Sequence, residues 1–181
     1  RCAPCETRAR ACLRGASTLP RDVGVDLSWI TDELAIGGRF RCEHVDVLAR
    51  QHRIGAIIDL REEACDDVAL LAAHGIDFLY LPTPDLHAVS APMLRDGVAF
   101  ASRHLRARRR VLVHCEHGIG RSALLGLCVL VEHRHAPLAA LELVKARRAR
   151  VSPSVAQYDA WAAWLREAGH PAPAFAEFAA V

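Results

Sequence analysis

One stretch does most to limit what this chain can fold into: Val111-Leu112-Val113-His114-Cys115-Glu116-His117-Gly118-Ile119-Gly120-Arg121-Ser122. Val111 to Val113 are β-branched or aliphatic, as a buried strand requires. Gly118 and Gly120 allow a tight turn, because glycine reaches positive φ and lets backbones approach closely. The run that follows, Ala123-Leu124-Leu125-Gly126-Leu127-Cys128-Val129-Leu130-Val131, reads as a helix buried in a core. A buried strand delivering a cysteine into a turn that opens a buried helix calls for an α/β fold with that strand near the middle of its sheet.

The chemistry follows from the same geometry. Successive amide N–H groups of a tight loop at a helix N-terminus cradle an anion. The helix dipole and a nearby guanidinium favour thiolate over thiol, so Cys115 is expected to ionise more readily than an ordinary cysteine. Arg121 curls back and offers a planar fork of donors to a tetrahedral oxyanion. A thiolate beneath such a cradle is a nucleophile aimed at phosphorus.

His114-Cys115, five residues, then Arg121-Ser122 resembles the signature loop of the cysteine-dependent phosphatases, and the surrounding chain is similar to their dual-specificity group. The resemblance implies further roles. Pro84-Asp85, about thirty residues upstream of Cys115, lies in a loop that would carry the general acid for the leaving oxygen. Gln157, near the start of the last helix, matches the position where the family orients the hydrolytic water. His114 would fix the loop rather than move protons. The backbone of Glu116, His117, Gly118, Ile119 and Gly120, with Arg121, would hold the phosphate, and Ser122 would donate to the Cys115 sulfur. No metal or cofactor is expected, because the amide cradle supplies the charge stabilisation a metal would give. Glu116, His117 and Ile119 stand where the phosphoinositide-type members carry lysines. The added negative charge of Glu116 tilts the expectation toward phosphotyrosine and phosphoserine/threonine in proteins, with a phosphoinositide or other lipid or inositol phosphate as the alternative substrate and His117 as a partial compensation when protonated. Two other classes remain in view: a rhodanese-type sulfur-transfer domain, which also places a cysteine at a strand-to-helix loop, and a catalytically idle phosphate-binding module.

With 181 residues, 52% of them hydrophobic, one domain with a sizeable core is expected. A net charge of +2 points to no nucleic acid or other strongly charged partner. The absence of an apolar run of about 18 residues argues against a membrane span. The seven cysteines have no disulfide-scaffold spacing, which suggests a reducing, cytoplasmic setting. Cys2, Cys5 and Cys12 leave a zinc or redox site open, but no second pair completes it, and free thiols in a loose lead-in are expected. The chain begins at Arg1 rather than Met, so a longer precursor is expected; the oligomeric state is not legible.

In order along the chain, residues 1–24 read as a lead-in, 25–170 as the phosphatase-like domain and 171–181 as a tail that docks or frays. Ser28–Gly38 gives two short strands, which the resemblance implies lie at the sheet edge. A helix is expected over Glu43–Arg53, a strand over Ile54–Leu60, a helix over Asp66–His74 stopped by Gly75, and a strand over Ile76–Leu81. Arg61, at a strand exit, either lines the pocket rim or sits in a solvated turn. The proline-flanked loop around Asp85 and His87 reads as a mobile flap. A helix from Ser90 or Ala91 to Arg106 leads into a basic run, Arg106–Arg110, read as a solvated face. Leu138–Arg150 is another helix, whose Lys145, Arg147, Arg148 and Arg150 form an exposed face or help hold a polyanionic head group. Ser152-Pro153 caps the last helix, Ser154–Ala168, which turns Val155, Tyr158, Trp161, Ala162 and Leu165 inward. The sum is an α/β fold with a central, mainly parallel sheet of four or five strands flanked by helices.

Overall fold

The computed structural model describes residues 24–181; the lead-in, with Cys2, Cys5 and Cys12, lies outside them apart from Gly24. The strands are β1 (Leu27–Trp29), β2 (Leu34–Gly37), β3 (Ile54–Arg61), β4 (Asp77–Thr83) and β5 (Arg110–His114). The helices are α1 (Val68–Ala73), α2 (Ala91–Arg106), α3 (Arg121–Glu132), α4 (Pro137–Arg147), α5 (Val155–Glu167) and α6 (Phe175–Ala180). One five-stranded sheet runs in the order β1-β2-β5-β3-β4. Only the β1–β2 pair is antiparallel; β2, β5, β3 and β4 lie parallel. The expected mainly parallel α/β architecture is thus the observed one, with the Val111–Val113 strand at its centre.

Side-chain alternation assigns the two faces. Val111 and Val113 of β5, with Ile36, Ala56, Ile58 and Leu60 from its neighbours, face a core completed by α2, α3 and α5. Leu112, with Ala35, Ile54 and Ile57, faces a smaller core under α1 and the segment after β2. A register shift between Ile54 and Ala56 puts Ile54 and Ile57 on the same side. Arg121 through Val131 of α3 are buried without a break, the mark of a helix enclosed on all sides. The four parallel strands end at one edge of the sheet, where an open α/β fold places its ligand crevice. No helix among the described residues is long and apolar enough to cross a membrane.

Several expectations need correction. The segment Glu43–Arg53 is not a regular α-helix: a 3-10 turn at Cys42–His44 runs on into a π-helical turn at Val47–Gln51, and Arg53 leaves it at φ +55°. Val45 and Leu48 still reach the core, so the apolar spacing was read correctly and the winding was not. Helix α5, expected to be the last helix, is followed by α6 and is capped by Ser154 rather than Ser152. The Ser152 N–H donates to the carbonyl of Ile119, and Ser154 and Gln157 form a reciprocal capping box. Val155, first residue after that cap, is exposed rather than inward. Within the Arg106–Arg110 run, Arg106 and Arg108 are solvated as read, but Arg109 donates to Asp77 and to the carbonyls of Gly55 and Gly75, and Arg110 donates to the His52 carbonyl under the Trp29 ring. Cys42 is disulfide-bonded, whereas Cys115 and Cys128 carry free thiols.

The tail docks. The Tyr158 hydroxyl donates to the Pro173 carbonyl at 2.9 Å, and the Phe178 ring of α6 lies 5.0 Å from Tyr158 and 5.8 Å from Trp161 between centroids. Trp161 is fully buried where α5, α6 and the core meet. Trp161→Ala is therefore expected to lower unfolding stability by about 3–5 kcal/mol, read as a fall in the urea midpoint; a loss below about 1 kcal/mol would mean the α6 junction is not part of the cooperative core.

Candidate active site

Strand β5 ends at His114 and α3 begins at Arg121, so Cys115 to Gly120 must cross from a sheet edge to a helix axis in six residues. Gly118 makes this possible. Its φ is +65°, and a Cβ there would lie 2.3 Å from Arg148 and 2.6 Å from the Gly37 backbone. Gly120 is confined in another way, since a Cβ would meet the Gln157 amide oxygen at 2.5 Å.

Cys115 is buried at the floor of this loop. Its Sγ lies 3.3 Å from Ser122 Oγ and accepts the Gly118 N–H at 3.3 Å. Burial pushes the thiol pKa up. The hydrogen bonds of Ser122 and Gly118 and the charge of Arg121 outweigh that and hold it below the ordinary thiol value. The structure thus brings Cys115, Gly118, Arg121 and Ser122 together.

Arg121 is 1% exposed and is held by three chain segments. Nη1 donates to the Thr83 carbonyl at 2.8 Å and to Glu63 at 2.9 Å; Nη2 donates to Glu63 at 2.7 Å and pairs with Asp85 at 3.0 Å. Nε is buried and has no hydrogen-bond partner. The guanidinium is thus fixed on one side, with a donor left over. Glu63 was not singled out from the sequence, although it stands at the exit of β3, on the site edge of a parallel sheet. Its bidentate contact with Arg121 is the main reason its carboxyl pKa falls to about 2.

Asp85 sits beside Arg121, and its loop is not free. The Ser154 hydroxyl donates to the Leu86 carbonyl at 3.1 Å, and Gln157 Nε2 donates to the His87 carbonyl at 3.1 Å. Gln157 Oε1 meanwhile accepts the Ser154 N–H at 2.9 Å. Where the prolines suggested a mobile flap, the loop is latched by the first turn of α5. Leu86 takes φ +63° within that latch. His87 turns its Nδ1 to the Asp85 carbonyl, 2.9 Å away, and so braces the loop.

Two further groups were misread. Arg148 lies not on an exposed face but behind the loop. Nε donates to the Gly118 carbonyl at 2.7 Å and Nη2 to the His117 carbonyl at 3.1 Å, while Asp26 holds the other side of the guanidinium at 3.0 Å. Drawing those carbonyls backward turns the following amides toward the bowl. Arg61 does not sit in a solvated turn; it borders a cavity with Glu63 and Glu116. It is buried, donating to Asp59 and Asp66, and Asp66 also accepts from His114 Nε2 at 2.8 Å. Nothing in the sequence marks those partners, which come together only through β3 and β5 pairing. Asp59, Asp66 and His114 stand close enough to ligate a metal ion, but Arg61 already supplies the positive charge among the carboxylates. Glu116, expected to add bare negative charge, pairs with Arg39 at 3.0 Å and lies 4.0 Å from Arg61. His117 and Ile119 contribute backbone to the loop, and the His117 side chain is exposed.

The family model of the dual specificity phosphatase catalytic domain matches residues 41–167. The chain is 34% identical over 102 residues to the phosphatidylglycerophosphate phosphatase PTPMT2 of Arabidopsis thaliana, a match covering 54% of this chain and 45% of that protein. It is also 34% identical over 94 residues to PTPMT1 of the same plant, covering 51% and 28%. The chain thus spans less than half the length of either relative. Among solved structures, Tk-PTP in its active form superposes with a TM-score of 0.72 at 24% identity, covering 78% of this chain and 97% of that one. PTPMT1 in complex with PI(5)P superposes at 0.71 with 23% identity, covering 76% and 93%. At these identities the structural likeness is one of fold.

The Glu63–Arg121 clamp carries a pH signature. A carboxylate with a depressed folded pKa adds stability above its unfolded value, near 4.5, and loses it as pH falls toward about 2. Glu63→Gln is expected to lower the melting temperature at pH above 4.5 and to converge with the parent chain near pH 2. An equal deficit at both ends of that range would show that the clamp is not electrostatic.

Proposed function

The chain belongs to the dual-specificity phosphatase family, and from that premise we propose that it hydrolyses phosphomonoesters through a cysteinyl-phosphate formed on Cys115. The observation that carries this reading is the pairing of a hydrogen-bonded, low-pKa Cys115 sulfur with a buried Arg121 that keeps one unpartnered donor, Nε.

In the proposed first step the Cys115 thiolate attacks phosphorus in line, the S–P bond forms, and the ester P–O bond breaks. The equatorial oxygens take the loop amides from Glu116 to Arg121 and the Arg121 fork. The leaving oxygen takes its proton from Asp85. Asp85 stands 3.0 Å from Arg121 Nη2. An arriving phosphate dianion competes for the same guanidinium, which releases the carboxyl to face the leaving oxygen. In the second step water attacks phosphorus, Asp85 takes its proton, and the S–P bond breaks, with Ser122 donating to the departing sulfur. Gln157 has one Nε2 hydrogen beyond its bond to His87, and we assign that hydrogen to the attacking water. His114 and Arg148 hold the loop and transfer no protons.

For substrate we favour a phospholipid phosphomonoester, in which a terminal phosphate sits on a glycerolipid head group. Two relatives at 34% identity are named for phosphatidylglycerophosphate. The negative charge that argued against anionic lipids is matched by Arg39. The mouth also offers apolar surface: Leu86 and Val155 are 72% and 60% exposed and lie next to the two residues, Asp85 and Ser154, that set the acid loop. A phosphorylated protein is the second reading, favoured by the lack of any lysine between Cys115 and Arg121.

The test is a substrate panel of phosphatidylglycerophosphate in mixed micelles, inositol phosphates, phosphotyrosine and phosphoserine peptides, and p-nitrophenyl phosphate. Cys115→Ser is expected to abolish turnover of all of them. The lipid reading predicts the highest kcat/KM on the glycerolipid, and a tenfold preference for phosphopeptides would reverse it. Asp85→Asn should slow hydrolysis of alkyl phosphates by about 10²–10⁴-fold and of p-nitrophenyl phosphate by less, since its leaving group scarcely needs a proton. An unchanged rate on alkyl phosphates would move the acid elsewhere.

A further inference from the structure

We infer that the end of the sheet opposite Cys115, where the parallel strands begin, is a docking surface for an acidic segment of a partner protein. The inference goes beyond the proposed hydrolysis and does not depend on its substrate.

Five helical segments of the described chain turn into left-handed backbone two positions past their last residue. Two of them use glycine: Gly75 after α1 and Gly169 after α5, at φ +72° and +78°. A Cβ at either would meet nothing within 4 Å, so φ alone calls for glycine there. The other three use arginine: Arg53 after the π-helical turn, Arg108 after α2 and Arg134 after α3, at φ +55°, +58° and +72°. The hydrogen bonds closing α2 and α3 are of the same kind as those closing α1. The N–H groups of Arg108 and Arg109 donate to the carbonyls of Leu105 and His104, and those of Arg134 and His135 to Val131 and Leu130. Gly75 and Ile76 do the same to Ala72 and Leu71. Arginine at such a position strains a backbone that glycine leaves relaxed. A helix dipole favours a nearby cation, but a cation in the last turn has that benefit without left-handed backbone. Three strained arginines on one face therefore point to a use for their charge.

All three stand where the strands begin. Arg53 directly precedes β3 and Arg108 lies two residues before β5. Arg134 sits between His133 and His135, which line a cleft with Arg106 and Arg108. A second cleft shares Glu33 and Arg108 with the first and adds Arg53, Arg109 and Arg110. Arg109 and Arg110 are tied down by Asp77, backbone carbonyls and the Trp29 ring. The side chains of Arg106 and Arg108 are 70% and 86% exposed. Those of Arg53 and Arg134 are exposed and make no ion pair or hydrogen bond among the described residues. Six arginines thus face four carboxylates, Asp32, Glu33, Asp77 and Glu132, an excess equal to the +2 of the whole chain.

That surplus attracts an anionic partner. Asp32 and Glu33, between β1 and β2, stand among the arginines. A nucleic-acid backbone or an anionic bilayer presents negative charge without interruption and meets those two carboxylates. A protein segment can set its own carboxylates over the arginines and a neutral or basic residue over Glu33. Seated there, it lies at the far end of β5 from Cys115 and leaves the bowl open.

The test compares the parent chain with a triple variant, Arg53→Gly, Arg108→Gly and Arg134→Gly. The probe is a fluorescein-labelled peptide of glutamate and glycine, read by anisotropy. The parent should bind it, less tightly as salt is raised to about 0.15 M. The variant should bind roughly tenfold more weakly. It should melt at an equal or higher temperature, because glycine relieves the three backbones and an exposed Arg108–Glu33 pair contributes little. It should hydrolyse p-nitrophenyl phosphate at the parent rate. A parent chain that does not bind the peptide overturns the inference, and so does equal affinity in the variant. A lower melting temperature would show that the arginines serve the helix ends, which overturns it as well. Phosphatidylserine vesicles and single-stranded DNA are the competing probes, and tighter binding of either defeats the choice of a protein partner. Absence of phosphatase activity in the parent would defeat the hydrolase reading and leave the peptide result standing.

Discussion

A single guanidinium joins the parts of this molecule that matter most. Arg121 opens α3, yet its donors end on the exit of β4 through Thr83, on the exit of β3 through Glu63, and on the loop beyond β4 through Asp85. Such a group is tolerable at 1% exposure only because its charge is met at short range. The same contacts fix its plane before any ligand arrives, so little conformational freedom remains to be lost on binding. Strand order, strand ends and the first residue of a helix all converge on that one plane.

The loop under Arg121 is shaped from behind as much as from within. Arg148 draws the carbonyls of His117 and Gly118 away from the bowl, and Ser152 takes the carbonyl of Ile119 through its N–H. With the acceptors turned outward, the donors of the following peptides point inward, which is how a neutral backbone becomes an anion receptor. Asp26, in the bend just before the antiparallel edge strand β1, anchors Arg148 in turn. The entry to an edge strand remote from the chemistry therefore helps set the direction of the amides.

Much of this was legible in the sequence. The strand, the turn and the buried helix around Cys115 follow from local apolar pattern and glycine placement, and local pattern is what a sequence displays. Asp85 was legible only through family resemblance, since nothing local distinguishes it from a turn former. The charged residues with long-range roles were not legible. Arg148 shares its composition with Arg147 and Arg150, and only the fold decides that one of the three turns inward. Arg61 and Asp66 look like solvated turn residues until β3 and β5 pair and bury them beside His114. The cap at Ser154 was missed because Ser152-Pro153 is the stronger local signal, and tertiary pairing of Ser152 with Ile119 overrode it.

The capping box of α5 carries a double duty. Ser154 and Gln157 close the helix N-terminus with some of their polar atoms and hold the carbonyls of Leu86 and His87 with others. Helix winding and the placement of the Asp85 loop are thereby one equilibrium. Fraying of this single turn, the least protected part of any helix, unhooks the carboxyl while the rest of the domain stays folded. Warming should thus silence the chemistry before the molecule melts, and whatever stiffens that turn sets the working range of the whole protein.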